Sequence, residues 1–293
     1  MNKRHARAYT CLFFCSFFFC ALFLFSCSKK DSPNNSGGSG SIGTGVSGTS
    51  GIWLNNFISA QGKDDTTYTE LTLAANHTVS RVVSLTLGLD TSYTTLLTVY
   101  SGGKLTQLLS ASDSNATTGT LYTQFDYSAS GQLQRIAYTP GTPTYTYDSL
   151  VLSKNNVVQE VYHFIPVGTA GTMTNVQTET FTWSTQGDII SVLFNNLDTT
   201  AGTWTASTVT YQFDGSFNPY QTVQDLPLIL GGINTVNYLS ANNVTGVTLV
   251  GQTIGVNYQY TYNSKSLPTF SNEAVIIQTQ LKNNVLTYFQ YIE

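Results

Sequence analysis

From Ile52 to the end of the chain, apolar and polar positions alternate in short runs. Tyr68-Thr69-Glu70-Leu71-Thr72-Leu73 and Arg81-Val82-Val83-Ser84-Leu85-Thr86-Leu87 repeat every second residue, the period of a strand with one buried face. Leu96-Leu97-Thr98-Val99-Tyr100 and the run from Leu105 to Leu109 flank Ser101-Gly102-Gly103-Lys104, which predicts a tight hairpin. No stretch of a dozen residues carries a helical period. The best helix candidate is Tyr220 to Leu230, and Pro227 limits it to about two turns. The pattern predicts an all-β chain, an antiparallel meander forming a curved sheet or open barrel in one domain.

A loose repeat punctuates the meander. Phe125-Asp126-Tyr127-Ser128-Ala129-Ser130-Gly131-Gln132-Leu133 and Phe181-Thr182-Trp183-Ser184-Thr185-Gln186-Gly187-Asp188-Ile189 share aromatic-x-aromatic-Ser-x-x-Gly-x-aliphatic. Aromatics two apart lie on one face of a strand. The short polar residue opens a turn by bonding its own backbone, and Gly takes the positive-φ position that closes it. A second aliphatic follows three residues later, at Ile136 and Val192. That spacing breaks the two-residue period and predicts a bulge in the returning strand. Partial copies begin at Tyr145, Tyr211 and Tyr260, too unevenly spaced for a solenoid or propeller.

The amino-terminal segment turns on one cysteine. Lys3, Arg4 and Arg7 precede an uncharged, Phe- and Leu-rich core from Cys11 to Phe25. A helix of that length rises about 22 Å, short of the roughly 30 Å hydrocarbon layer, so it reads as a signal core. Leu24-Phe25-Ser26-Cys27 resembles the bacterial lipoprotein cleavage box, which implies that residues 1–26 are removed and that Cys27 is acylated with fatty chains such as palmitate. Cys11, Cys15 and Cys20 leave with the leader, so no disulfide framework remains. Residues 27–51 then form a lipid-bearing start and a Gly/Ser-rich linker, Ser32 to Gly51 having a reach of roughly 25 Å. Residues 52–293 form the β-rich domain. Ser28-Lys29-Lys30-Asp31 resembles the charged tract after the lipid cysteine in Bacteroidota lipoproteins, implying an outer-membrane lipid anchor on the periplasmic face or the cell surface.

A resemblance extends into the domain. The aromatic-x-Tyr-Asp hairpin is similar to the YD unit of RHS-type repeats. Phe213-Asp214…Asn218-Pro219, Asn242-Asn243-Val244 and Tyr258-Gln259-Tyr260-Thr261-Tyr262-Asn263…Leu267-Pro268 resemble a Bacteroidota lipoprotein family of unknown function. That family implies a β-rich fold and brings no assigned activity, so no functional residue carries over.

Charge and chemistry narrow the role. Without the leader's three cations, nine Lys and Arg face sixteen acids, which offers no basic patch for nucleic acid. His77 and His163 stand alone, with neither a metal-ligand nor a base-and-partner spacing, so no cofactor or metal site is expected. Asp64, Asp65, Glu70, Glu160, Glu179, Asp188, Asp214 and Asp225 are the carboxylates from which a glycosidase pair could be drawn. Asp65-Thr66-Thr67, Asp148-Ser149-Leu150 and Asp198-Thr199-Thr200 resemble the Bacteroidota O-glycosylation acceptor. Trp53, Trp183 and Trp204 are candidate stacking aromatics, although strand aromatics commonly fill cores. The expectation is a non-enzymatic envelope lipoprotein that binds a glycan or a protein partner; a structural envelope component and a carboxylate hydrolase are the alternatives. Exposed aromatics rimmed by amides would favour the first.

Overall fold

In the computed structural model, which describes residues 51–61, 65–88, 91–168, 171–231, 235–277 and 280–292, alternation resolves into sixteen antiparallel strands. They are β1 (Trp53–Gln61), β2 (Asp65–Leu73), β3 (Val79–Leu87), β4 (Ser92–Ser101), β5 (Lys104–Ala111), β6 (Thr120–Tyr127), β7 (Leu133–Tyr138) and β8 (Thr146–Leu152). The second half comprises β9 (Val158–Val167), β10 (Thr172–Trp183), β11 (Ile189–Asp198), β12 (Thr203–Phe217), β13 (Asn242–Leu249), β14 (Ile254–Tyr262), β15 (Pro268–Ile277) and β16 (Gln280–Ile292). Each strand pairs with its sequence neighbours, and β1 pairs with β16, so the expected meander closes into a complete barrel. Closure removes both sheet edges, which would otherwise be templates for aggregation. Cys27 and the leader lie outside the described residues.

The bulge anticipated from the repeat recurs in every odd-numbered strand. Asn55, Ser80, Thr106, Gln134, Gln159, Ile190, Thr245 and Thr269 are each the extra residue of a register shift. One extra residue re-phases the alternation, so side chains three apart share a face. Val79 and Val82, Leu105 and Leu108, Leu133 and Ile136, Val158 and Val161, Ile189 and Val192, and Val244 and Val247 are accordingly all buried in one core. The turn before the bulge is conserved in geometry. Ser128, Ser153 and Ser184 each accept the amide four residues on through Oγ, at 3.0, 3.2 and 3.1 Å, and Asn263 does so through Oδ1 at 3.0 Å. The residue three after each opener has positive φ: Gly131, Asn156, Gly187 and Ser266. The copy at Tyr260 belongs to this set, whereas that at Tyr211 does not: Asp214 accepts the Ser216 amide at 2.7 Å and β12 runs on to Phe217. Tyr145 does not: it precedes β8 at the opposite barrel end, where Asp148 turns inward instead of opening a turn.

A barrel of this strand number leaves a wide interior. Here the segment between β12 and β13 fills one end. It contains a 3₁₀ turn (Pro219–Thr222) and α1 (Leu226–Leu230), which overlap the expected helical stretch, and α2 (Val236–Leu239) beyond it; Pro227 sits in the first turn of α1 where its missing N–H costs nothing. Tyr220, Val223, Leu226, Ile229, Tyr238 and Leu239 join the wall residues in the core. Tyr220 meets Phe57, Tyr238 and Phe289 edge to face, with centroids 5.7, 4.6 and 6.1 Å away. Polar pins fix the plug. Thr222 Oγ1 accepts the Leu54 amide at 3.0 Å, Ser240 Oγ accepts that of Ile189 at 3.1 Å, and Asp188 accepts the Asn242 amide at 2.7 Å.

The outward positions are the complement of this core. Asn195, Gln212, Asn257, Gln259 and Asn272 point away from it between β11 and β15, whereas Ile58, Tyr68, Leu85, Tyr93, Leu286 and Tyr288 do so between β16 and β4. The β11–β15 arc of the outer wall thus mixes these amides with exposed Leu193 and Trp204, whereas the β16–β4 arc carries a denser apolar set.

Candidate functional site

Two concentrations of side-chain chemistry emerge, one inside the wall and one outside. Inside, Asp148 on β8, His163 on β9 and Gln177 on β10 are direct cross-strand partners. Asp148 is fully buried; His163 Nδ1 lies 2.6 Å from its Oδ1, and the Tyr138 hydroxyl donates to Oδ2 at 2.7 Å. Gln177 Nε2 donates to Glu179 Oε1 at 2.6 Å. Burial, and then the charge of Asp148, push Glu179 up to about 8. Across the barrel Glu273 on β15 is also pushed up to about 8 by burial, with Oε2 lacking a hydrogen-bond partner. A glycosidase pair must flank an open substrate cleft, and these carboxyls are enclosed. Burial holds the protons of Glu179 and Glu273 on the inner face of the wall.

Outside, the register assembles a single row. Phe270 pairs with Tyr288, Tyr288 with Ile58, Ile58 with Tyr68, Tyr68 with Leu85, and Leu85 with Tyr93. Their inward neighbours Phe57 and Phe289 sit in the core, which fixes the row on the outer face. The tyrosines remain 47% (Tyr288), 41% (Tyr68) and 43% (Tyr93) exposed. They occupy β16, β2 and β4, with an aliphatic residue on each strand between. Successive tyrosines therefore stand roughly 10 Å apart, two strand spacings. Phe270 leans on Tyr288, with centroids 5.0 Å apart. One step toward the plugged end runs a polar rim of Gln290, Asn56 and Glu70. Asn56 Nδ2 donates to Gln290 Oε1 at 3.0 Å, so the pair presents one amide oxygen and one amide NH₂ outward. Between row and rim lies a depression of about 260 Å³ lined by Asn56, Ile58, Tyr68, Glu70 and Gln290. Arg81 faces outward on β3 opposite Thr72, diagonal to Glu70, and donates to the Ser114 carbonyl at 3.0 Å; Arg135 lies elsewhere on the wall, and Lys104, Lys154 and Lys265 lie at hairpins of the plugged end.

The tryptophans are not gathered into one site. Trp53 stacks on the turn residue His77, with centroids 3.7 Å apart and planes 8° from parallel. Trp183 packs on the core and donates Nε1–H to the Val158 carbonyl at 2.7 Å. Trp204 is 49% exposed, alone near the other end of β12. Of the candidate carboxylates, Glu179 alone joins the interior group. Asp188, Asp214 and Asp225 tie down the plugged end, where burial raises all three. Glu70 joins the outer rim, Glu160 accepts from Tyr162 at 2.6 Å, Asp65 begins β2, and Asp64 lies outside the described residues. Among the acceptor-like triplets, Thr199 and Thr200 are exposed in a turn.

Asp148 was singled out from sequence only as the start of an acceptor-like triplet, and the tyrosine row not at all. Asp148 carries the look of a turn Asp after Tyr147, and only strand phase reveals that Tyr147 faces out and Asp148 in. The row combines residues from six strands, and the signal was present strand by strand as an aromatic or aliphatic at an outward position.

No family model matches the chain, and no curated protein does. Among solved structures, a porin-like protein from Bacteroides uniformis ATCC 8492 superposes with a TM-score of 0.53 at 11% identity, covering 82% of this chain and 98% of the other. A porin-like protein from Bacteroides vulgatus ATCC 8482 gives a TM-score of 0.39 at 10% identity, with the same coverages.

Proposed function

We propose that this chain is a lipid-tethered, non-enzymatic envelope protein whose barrel binds a glycan on its outer tyrosine row. One observation carries the reading: three half-exposed tyrosines in a single cross-strand row, bordered by an amide and carboxylate rim. Pyranose rings have one apolar C–H face that rests on an aromatic plane and an edge of hydroxyls that bonds amides. The row and rim offer both, side by side.

The porin-like description of the solved neighbours supports an envelope address. The wall itself argues for a position beside the bilayer, because a spanning barrel exposes a continuous apolar band. Asn195, Gln212, Asn257, Gln259 and Asn272 interrupt any such band here. A tether through acylated Cys27 and a linker of about 25 Å supplies the membrane contact instead.

Two measurements test the reading. A glycan array with the full-length protein should give binding that Tyr68→Ala together with Tyr288→Ala abolishes, with the circular dichroism spectrum unchanged. A blank array alongside specific protein capture would overturn it. Cys27→Ser should move the protein from the membrane to the soluble fraction; continued membrane retention would refute the tether.

A further inference from the structure

Resting on that glycan reading, the geometry points to a more specific ligand. We infer that the row holds an extended, uncharged, β-linked polysaccharide running across the strands. In such a chain with two-fold symmetry, neighbouring rings are flipped, so the wall meets the same ring face only at alternate sugars. Each sugar is close to one strand spacing in length. Tyrosines on every second strand, at roughly 10 Å intervals, therefore fall under alternate rings. Ile58 and Leu85 lie under the flipped rings between them, where a planar stack is unavailable and a smaller apolar contact suffices.

The row is continuous because direct cross-strand partners define it: Tyr288, Ile58, Tyr68, Leu85 and Tyr93 follow one another without a register break along the convex wall of the closed barrel. A branched or compact sugar would touch one tyrosine and leave the others unused. The depression beside Tyr68 sets the middle of the site. There Glu70, the free amide oxygen of Asn56 and the NH₂ of Gln290 meet hydroxyl groups of the central rings. Charge selects as well. Glu70 is the charged side chain of the rim, and its diagonal neighbour Arg81 is turned to the Ser114 carbonyl, so a uronate polymer would be repelled and a neutral one accepted.

The closing experiment separates this inference from the broader one. Titration calorimetry on the full-length protein would use β-1,4-linked gluco- and manno-oligosaccharides from disaccharide to hexasaccharide, with polygalacturonate as the charged comparison. Affinity should climb by about a hundredfold until the chain spans all three tyrosines and then level, each stacked ring being worth up to about tenfold. Tyr93→Ala and Tyr288→Ala should each cost the longest oligomers about tenfold and leave the disaccharide almost unaffected, whereas Tyr68→Ala weakens every length. Tyr122→Ala, an exposed tyrosine outside the row, should change nothing and controls for folding. Equal affinity at every length would overturn the extended-chain inference while glycan binding stood. Binding of polygalacturonate in preference to the neutral oligomers would overturn its charge component. Silence from every sugar would sink both.

Discussion

Replacing Glu273 with Gln should flatten the pH dependence of stability. Glu273 is 1% exposed, faces the interior opposite Tyr258, and leaves Oε2 without a partner. Burial raises its pKa from 4.5 to about 8. A carboxyl with a raised folded pKa is protonated in the folded state while its unfolded counterpart ionises. Its contribution is therefore most favourable below about pH 4.5 and is lost progressively as pH rises to about 8. Each pH unit in that window costs about 1.4 kcal/mol, so the loss approaches 4 kcal/mol by about pH 7.5. Glu179 contributes a second loss of the same sign, which the variant retains. Urea unfolding of both proteins at several pH values between 5 and 8 gives the comparison. The gap should widen by at least about 2 kcal/mol in favour of Glu273→Gln across that range. Parallel stability profiles would show that Glu273 is not held protonated by burial, and the same argument for Glu179 would fail with it.

Three further perturbations probe the scaffold. Tyr220→Ala removes the ring that joins the plug to Phe57, Tyr238 and Phe289; it should cost about 4 kcal/mol and lower Tm by about 10 °C, and an unchanged Tm would show the plug to be a passenger. Ser266→Gly relieves a left-handed residue at φ 60 and should stabilise the barrel by about 0.5 kcal/mol, read from the urea midpoint. The reverse change in an equivalent turn, Gly187→Ala at φ 88, should destabilise by about 1 kcal/mol.

Much of the fold was legible in the chain because local chemistry and global topology agree. The Ser-x-x-Gly turns and the aliphatic pairs three apart encode hairpin, bulge and inward face together, so Leu133 with Ile136 and Ile189 with Val192 announced the architecture. Aliphatic copies such as Leu71-Thr72-Leu73 and Leu150-Val151-Leu152 escaped notice, since they place the same inward side chains without an aromatic signature. Closure was not legible. It depends on β1 meeting β16 across nearly the whole domain, and nothing local in Trp53–Gln61 specifies that partner. The interior acids were hidden for a related reason. Composition suggests that Asp belongs in turns, whereas Asp148 is sheltered by Tyr138 and His163 from neighbouring strands. The tyrosine row is a property of register, assembled only when six strands lie side by side.

Hydroxyl-radical footprinting of the full-length protein, with and without a neutral β-linked hexasaccharide, examines the binding surface directly. Tyr68, Tyr93 and Tyr288 should become protected together, while Trp204 and Tyr122 keep their reactivity. Protection at Trp204 or at the interior Tyr138, with the three row tyrosines unchanged, would place the ligand elsewhere and contradict the account.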